Sequence, residues 1–126
     1  MKFIEAKYRG VTYKHLFVTP EGLLYRKEGN NLIHHEGGRN NTSNNHYMRF
    51  EGLLVHRLIM ETLYPDKHPA DVPESAWKQL PSYVKDLIRT TVEVDHINET
   101  KNDNRLENLE WVTRTENRRR YFGKGV

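Results

Sequence analysis

The sequence predicts an α+β protein: an N-terminal β-rich lobe, a run of helical segments, and a C-terminal strand–loop–strand–helix unit. Three patterns carry that expectation. Residues 11–27 alternate apolar and polar positions around Pro20-Glu21-Gly22, and residues 56–64 and 77–89 place apolar side chains at helical spacing. Residues 91–120 form two short β-branched or apolar runs, separated by an Asn- and Asp-rich stretch and followed by a helix-capping signal.

In the lobe, Val11–Val18 and Leu23–Lys27 read as a hairpin across the turn residues Pro20 to Gly22. Asn30-Asn31 and Gly37-Gly38 punctuate further short strands, Asn40–Asn45 is a polar loop, and Tyr47–Phe50 pairs with Leu53–Val55 across Glu51-Gly52. Helices follow. His56–Tyr64 carries Leu58, Ile59, Met60 and Leu63 and is closed by Pro65. Pro69–Pro73 is a connector, and Pro81 divides a short helix from a longer one ending near Arg89. Trp77, Leu80, Val84, Leu87 and Ile88 share a face and are expected in the core.

The C-terminal unit carries the chemistry. Thr91–Val94 reads as a strand ending at Asp95-His96, Asn98–Asn108 as a loop, and Leu109–Val112 as a second strand. Thr113 with Glu116 forms the S/T-x-x-E pattern of a capping box, so a helix starts near Arg114 and takes Asn117 into its second turn. Asp95 and His96 are adjacent, Asn108 stands twelve residues after His96, and Asn117 nine residues further on. Asp95 and Asn117 can each offer a hard oxygen to a divalent cation. His96 is the side chain suited to take a proton from water near pH 7. Taken one at a time, Asp95-His96 is also an ordinary strand-end turn and Asn108 an ordinary loop brace; Trp111 is expected in the core.

Val94–Arg120 resembles the HNH, or ββα-metal, endonucleases, in the branch found in phage and intron-encoded homing enzymes. N-L-E-W-V-T followed by E-N at residues 108–113 and 116–117 is close to the family's wording, and Val55–Ile59 resembles the helix preceding its motif. The resemblance implies His96 as general base, Asp95 and Asn117 as ligands of a divalent metal, and Asn108 as the residue that holds the imidazole. It also implies DNA as substrate, 5′-phosphate and 3′-hydroxyl products, and one strand cut per site. Mg²⁺ is the expected ion, with Mn²⁺ able to substitute. On this reading residues 1–55 are a DNA-binding β lobe, and residues 56–126 hold the helices and the HNH nuclease unit, with its core at 92–121. A nicking or homing endonuclease acting as monomer or homodimer on double-stranded DNA is the expected activity. A DNA-binding module that keeps the HNH scaffold without activity is the alternative.

Composition agrees with a nucleic-acid enzyme. At 126 residues the chain is expected to form one domain, and it contains no cysteine, which removes disulfides and the paired-cysteine zinc sites of some HNH relatives. Mean hydropathy of −0.88 and the lack of a long apolar run argue against a membrane span. Met1–Glu5 lacks the apolar core of a signal peptide, so the cytoplasm of a bacterial or phage-infected cell is expected. Net charge is only +3 at pH 7, so its distribution matters more than its sum. Acidic residues dominate 93–110, and Arg114, Arg118, Arg119, Arg120 and Lys124 follow. Those four arginines are candidate phosphate contacts, although a solvated helix complementing its own dipole has the same composition. Arg26 and Arg49, interleaved with Tyr25 and Tyr47, are candidate DNA contacts in the lobe, a pattern that any two-faced sheet also shows. His15, His34, His35, His46 and His68 are too scattered for a second metal site; His56 is the one to watch.

Overall fold

The computed structural model describes residues 1–35 and 47–122. The sequence readings at Gly37-Gly38, Asn40–Asn45, His46 and Lys124 lie outside them.

The fold is mixed α and β, with an antiparallel N-terminal sheet. Strands β1 (Ile4–Tyr8), β2 (Val11–Val18), β3 (Leu24–Glu28) and β4 (Asn31–His35) lie side by side in chain order, each antiparallel to the next. Two-residue turns need positive φ to match strand twist, and Arg9 (φ 53°) and Gly10 (φ 78°) supply it between β1 and β2. The expected hairpin of Val11–Val18 with Leu23–Lys27 forms, with the second strand shifted by one residue, and β2 and β3 pair through Val18 and Leu24 across the anticipated turn. Strand β1 was not anticipated. Its signal is there in retrospect: Ile4, Ala6 and Tyr8 alternate with Glu5 and Lys7, and Ala6 is fully buried.

Strands β5 (Arg49–Phe50) and β6 (Leu53–Leu54) pair across Glu51-Gly52, as the sequence suggests. Helix α1 (Val55–Leu63) follows directly and is the hub of the molecule, packing against β1, β2 and the C-terminal strands. Leu58, Ile59 and Met60 are almost fully buried, and each such side chain contributes about 1.5–3 kcal/mol. The core includes Ala6, Leu16 and Val18 from the sheet and Val92, Val94, Leu109 and Trp111 from the C-terminal part, so one cluster spans both halves of the chain. Arg57 reinforces the join. Its guanidinium pairs with Glu61 at 2.8 Å, donates to the Val92 carbonyl at 3.0 Å, and lies over the Trp111 ring.

Helices α2 (Glu74–Gln79) and α3 (Ser82–Arg89) flank Pro81, where the break was expected. The expected apolar stripe is only partly core. Trp77 is buried, but Leu87 is 64% exposed and α3 buries no residue fully. The helix is turned so that Lys85 and Arg89 lie over the Trp77 ring, at 5.9 and 5.4 Å, which leaves Leu87 facing outward. No described helix is long and apolar enough to cross a membrane.

The chain ends in strand β7 (Glu93–His96), a loop, a 3₁₀ turn at Leu106–Asn108, strand β8 (Leu109–Val112) and helix α4 (Arg114–Phe122). β7 pairs antiparallel with β8, and α4 packs on β7. The first strand starts two residues later than expected and includes Asp95 and His96 as its last pair.

Candidate active site

Alternation along β7 sorts its side chains. Val94 and His96 are buried, whereas Glu93 and Asp95 are half-buried on the opposite face, where α4 supplies their partners. Asp95 and His96, adjacent in sequence, therefore leave the strand on opposite sides of its end.

His96 is 5% exposed, and its Nε2 is 2.8 Å from Asn104 Oδ1. The contact assigns the Nε2 hydrogen to this bond and leaves Nδ1 as the basic nitrogen. The ring sits against His56, with centroids 4.9 Å apart and planes at 62°, and against Tyr47, at 5.7 Å. Burial lowers the His96 pKa, and the nearby Lys101 charge adds to this; the Asn104 hydrogen bond and the Asp95 and Asp103 carboxylates oppose it. The lowered pKa favours the neutral imidazole, the form a base needs. His56 is 7% exposed and its Nδ1 has no hydrogen-bond partner. Burial, followed by His96, Arg57 and Arg49, pushes its pKa down to about 3.

The Asn108 side chain makes no hydrogen bond to the imidazole among the described residues. It is 4% exposed and braces the loop: Oδ1 accepts from the Asn98 N–H at 2.9 Å, and Nδ2 donates to Asn98 Oδ1 at 2.9 Å and to the Asp103 carbonyl at 2.8 Å. Its own carbonyl accepts from the Ile97 N–H at 2.8 Å, fixing the backbone just after His96. The side chain that holds the ring is Asn104, which sequence reasoning counted as loop chemistry. Asn98, Asn102, Asn104 and Asn108 are alike in type, so no local signal singles one out.

On the other face, Asn117 Nδ2 donates to Glu93 Oε2 at 2.8 Å, and Arg120 Nη1 bridges Asp95 Oδ2 at 2.8 Å and Glu110 Oε1 at 2.5 Å. Arg120 Nε also reaches Glu116 at 3.2 Å. Glu93, Asp95 and Glu110 form an acidic patch that α4 answers with Arg114, 3.4 Å from Glu93, and Arg120. Among the described residues no group of three or more His, Cys, Asp or Glu side chains could hold a metal ion. Asp95 Oδ1 and Asn117 Oδ1 make no hydrogen bond or ion pair among the described residues, so each could offer a hard oxygen to a cation.

The capping box forms by half. The Glu116 N–H donates to Thr113 Oγ1 at 3.3 Å, but the Thr113 N–H donates to Asp71 Oδ1 at 3.0 Å instead of to Glu116, and the Thr113 hydroxyl donates to the same Asp71 carboxylate. Asp71 belongs to the connector, which also docks through Ala70 N–H on the Trp111 carbonyl at 2.7 Å. Glu116 is thereby free to pair with Arg119, at 2.5 Å, and with Arg120.

The candidate DNA contacts are differently disposed. Arg114, Arg119 and Arg120 are each paired with a carboxylate, whereas Arg118 is exposed and has no ion pair among the described residues. Arg26 is tied to Glu28 at 2.5 Å and Glu51 at 2.6 Å, and Arg49 donates to the Gly52 carbonyl at 3.2 Å.

A sequence profile described as HNH endonuclease matches residues 53–119, more than half of the chain. The chain belongs to the HNH endonuclease family. The matched span begins just before α1 and includes Asp95, His96, Asn104, Asn108 and Asn117, so the helix carrying His56 and Arg57 lies inside it. Family membership suggests nuclease activity in general and implies DNA as the substrate. No curated protein and no solved structure matched the chain.

Proposed function

We propose that this HNH protein is a metal-dependent endonuclease that hydrolyses phosphodiester bonds in double-stranded DNA, of the nicking or homing type. The observation that carries the reading is His96: buried, neutral, held at one ring nitrogen by Asn104, and next to Asp95, which faces the helix bearing Asn117. Asp95 Oδ1 and Asn117 Oδ1 would hold the divalent ion, Mg²⁺ or Mn²⁺. An ion held there would supply positive charge to offset that on the phosphate and on the departing 3′ oxygen. His96 takes the proton of the attacking water at Nδ1 while Asn104 keeps the ring in place. The new P–O bond forms as the P–O3′ bond breaks, and the departing 3′ oxygen takes a proton from solvent water, leaving a 5′-phosphate and a 3′-hydroxyl. Asn108 acts through the backbone, holding the turn from which His96 and Asn104 approach each other.

A single such site breaks one strand, so nicking by a monomer is the expected activity; a duplex cut requires a second site, from a homodimer or from a second binding event. We assign residues 1–55 to DNA contact, with Arg26 and Arg49 as candidates, and residues 56–126 to the nuclease part with its core at 92–121. Arg118 is the first phosphate contact among the α4 arginines, because the other three already have carboxylate partners.

One observation favours the alternative of an inactive DNA-binding scaffold: Arg120 occupies one oxygen of Asp95. The deciding experiment is incubation of supercoiled plasmid with the full chain in Mg²⁺, Mn²⁺ or EDTA, beside His96→Ala. Metal-dependent nicking that falls at least about 10²-fold in the variant supports the enzyme. Equal plasmid binding with no nicking in either metal supports the scaffold.

A further inference from the structure

The acidic patch around the site poses an electrostatic problem for a nuclease. Glu93, Asp95, Asp103, Glu107 and Glu110 all lie in the β7–β8 segment, and a DNA phosphate approaching them is repelled unless cations intervene. Most of the local cations are already committed. Arg105 pairs with Asp103 at 2.8 Å, Arg114 with Glu93, Arg119 with Glu116, and Arg120 with three carboxylates. Among the described residues from Glu93 onward, Lys101 and Arg118 are the cations with no carboxylate in ion-pairing range.

The two differ in position. Arg118 lies on α4, whereas Lys101 lies in the loop after His96, with its Nζ 5.2 Å from the centre of the Tyr47 ring. Tyr47 in turn lies 5.7 Å from His96 and 4.9 Å from His56, ring centre to ring centre. It is 47% exposed. The Tyr47 ring therefore rests against the two imidazoles, with an uncommitted ammonium above it. A ring pinned by two imidazoles and a lysine held at its face is a preorganised pair: the aromatic fixes the lysine without neutralising it.

We propose that Lys101 binds a DNA phosphate beside the scissile one, and that the exposed part of the Tyr47 ring is the surface against which the adjoining nucleoside packs. The proposal rests on the endonuclease reading for its substrate and deepens it by naming the contacts that seat the strand at His96. Lys101 offsets the repulsion of the acidic patch on the histidine side, and the ring provides apolar area that any base or sugar can use, so the contact is independent of sequence.

The test uses the full chain and a fluorescein-labelled duplex of mixed sequence. Binding is measured in EDTA over a salt series, and plasmid nicking is measured in Mg²⁺. Lys101→Gln is expected to reduce the slope of log Kd against log salt by about 0.9, the value of one duplex phosphate contact, while Lys101→Arg keeps it. KM for nicking rises about ten-fold in Lys101→Gln and in Tyr47→Ala, with kcat within about two-fold, and Tyr47→Phe stays near wild type. A wild-type slope and KM in Lys101→Gln overturn the phosphate contact even if the protein nicks normally. A wild-type protein that never nicks, but whose slope falls in Lys101→Gln, upholds the contact and overturns the endonuclease reading instead. Circular dichroism identifies a misfolded Tyr47→Ala, in which case Tyr47→Leu decides the ring's part: wild-type KM there overturns it.

Discussion

His96 Nε2 and Asn104 Oδ1 are 2.8 Å apart, so the imidazole is held by a loop side chain eight residues on, not by the buried Asn108. That bond fixes the tautomer and the ring plane together. Partners of this kind typically change activity about 10–100-fold when a ring they orient loses them.

Asn104→Ala is accordingly expected to lower nicking by about ten-fold or more, with Tm close to wild type. Asn104→Asp is more diagnostic. A carboxylate at Nε2 favours the protonated ring, so the His96 pKa rises and the acid limb of the pH–rate profile moves to higher pH. An acid limb unmoved in Asn104→Asp would mean that the bond does not tune the base.

Asn108→Ala should act on stability first. The side chain satisfies the Asn98 N–H, the Asn98 side chain and the Asp103 carbonyl, and a buried group left unpaired costs about 1–3 kcal/mol. Thermal unfolding should therefore shift clearly downward, in contrast to Asn104→Ala, and nicking measured well below the lowered Tm should be affected less than Tm. A wild-type Tm would remove Asn108 from the loop brace.

The contrast between these two residues marks how far the sequence could be read. The hairpin at Pro20 to Gly22, the break at Pro81 and the start of α4 after Thr113 are set by local turn and cap chemistry, and they stand where expected. Asp95, His96 and Asn117 lie on adjoining elements because a short hairpin followed by a capped helix leaves them little choice. Which asparagine reaches the ring depends on the path of a polar loop, where four similar residues compete and no periodicity helps. Tyr47 and His56 come to His96 only through the burial of α1 against β7, a non-local packing event. Leu87 misled for a related reason, since an apolar face can be outvoted when cations stacked on Trp77 set the helix's rotation.

Arg120 leads to the third prediction. It pairs with Asp95, Glu110 and Glu116, and so lowers the negative field that Asp95 offers a cation at its other oxygen. Arg120→Gln should tighten Mg²⁺ and Mn²⁺ binding in calorimetry, because the carboxylate then no longer shares its charge with a guanidinium. Asp95→Ala and Asn117→Ala should weaken binding, with Asp95 the costlier because it carries the charge. Unchanged titrations in all three variants would place the metal elsewhere.

The last prediction concerns acid stability and rests on His56, which faces His96, Tyr47, Arg57 and Arg49 from the elements packed around it. Its folded pKa of about 3 lies below the ordinary 6.5, so the unfolded chain takes up a proton that the folded protein refuses. The folded state is thus favoured in full above about pH 6.5 and loses that advantage steadily as pH falls toward 3. Glu116, held near 2 mainly by Arg119, also stabilises the fold as its ionised form, but its loss begins only near the carboxylate range. The two windows separate. Between pH 6.5 and 5 the fall in Tm belongs to the buried histidines, and His56→Gln, which is neutral at every pH, should flatten it in that interval while leaving the steeper decline below pH 4 in place. Equal slopes for wild type and His56→Gln between pH 6.5 and 5 would show that His56 is not buried as the neutral ring.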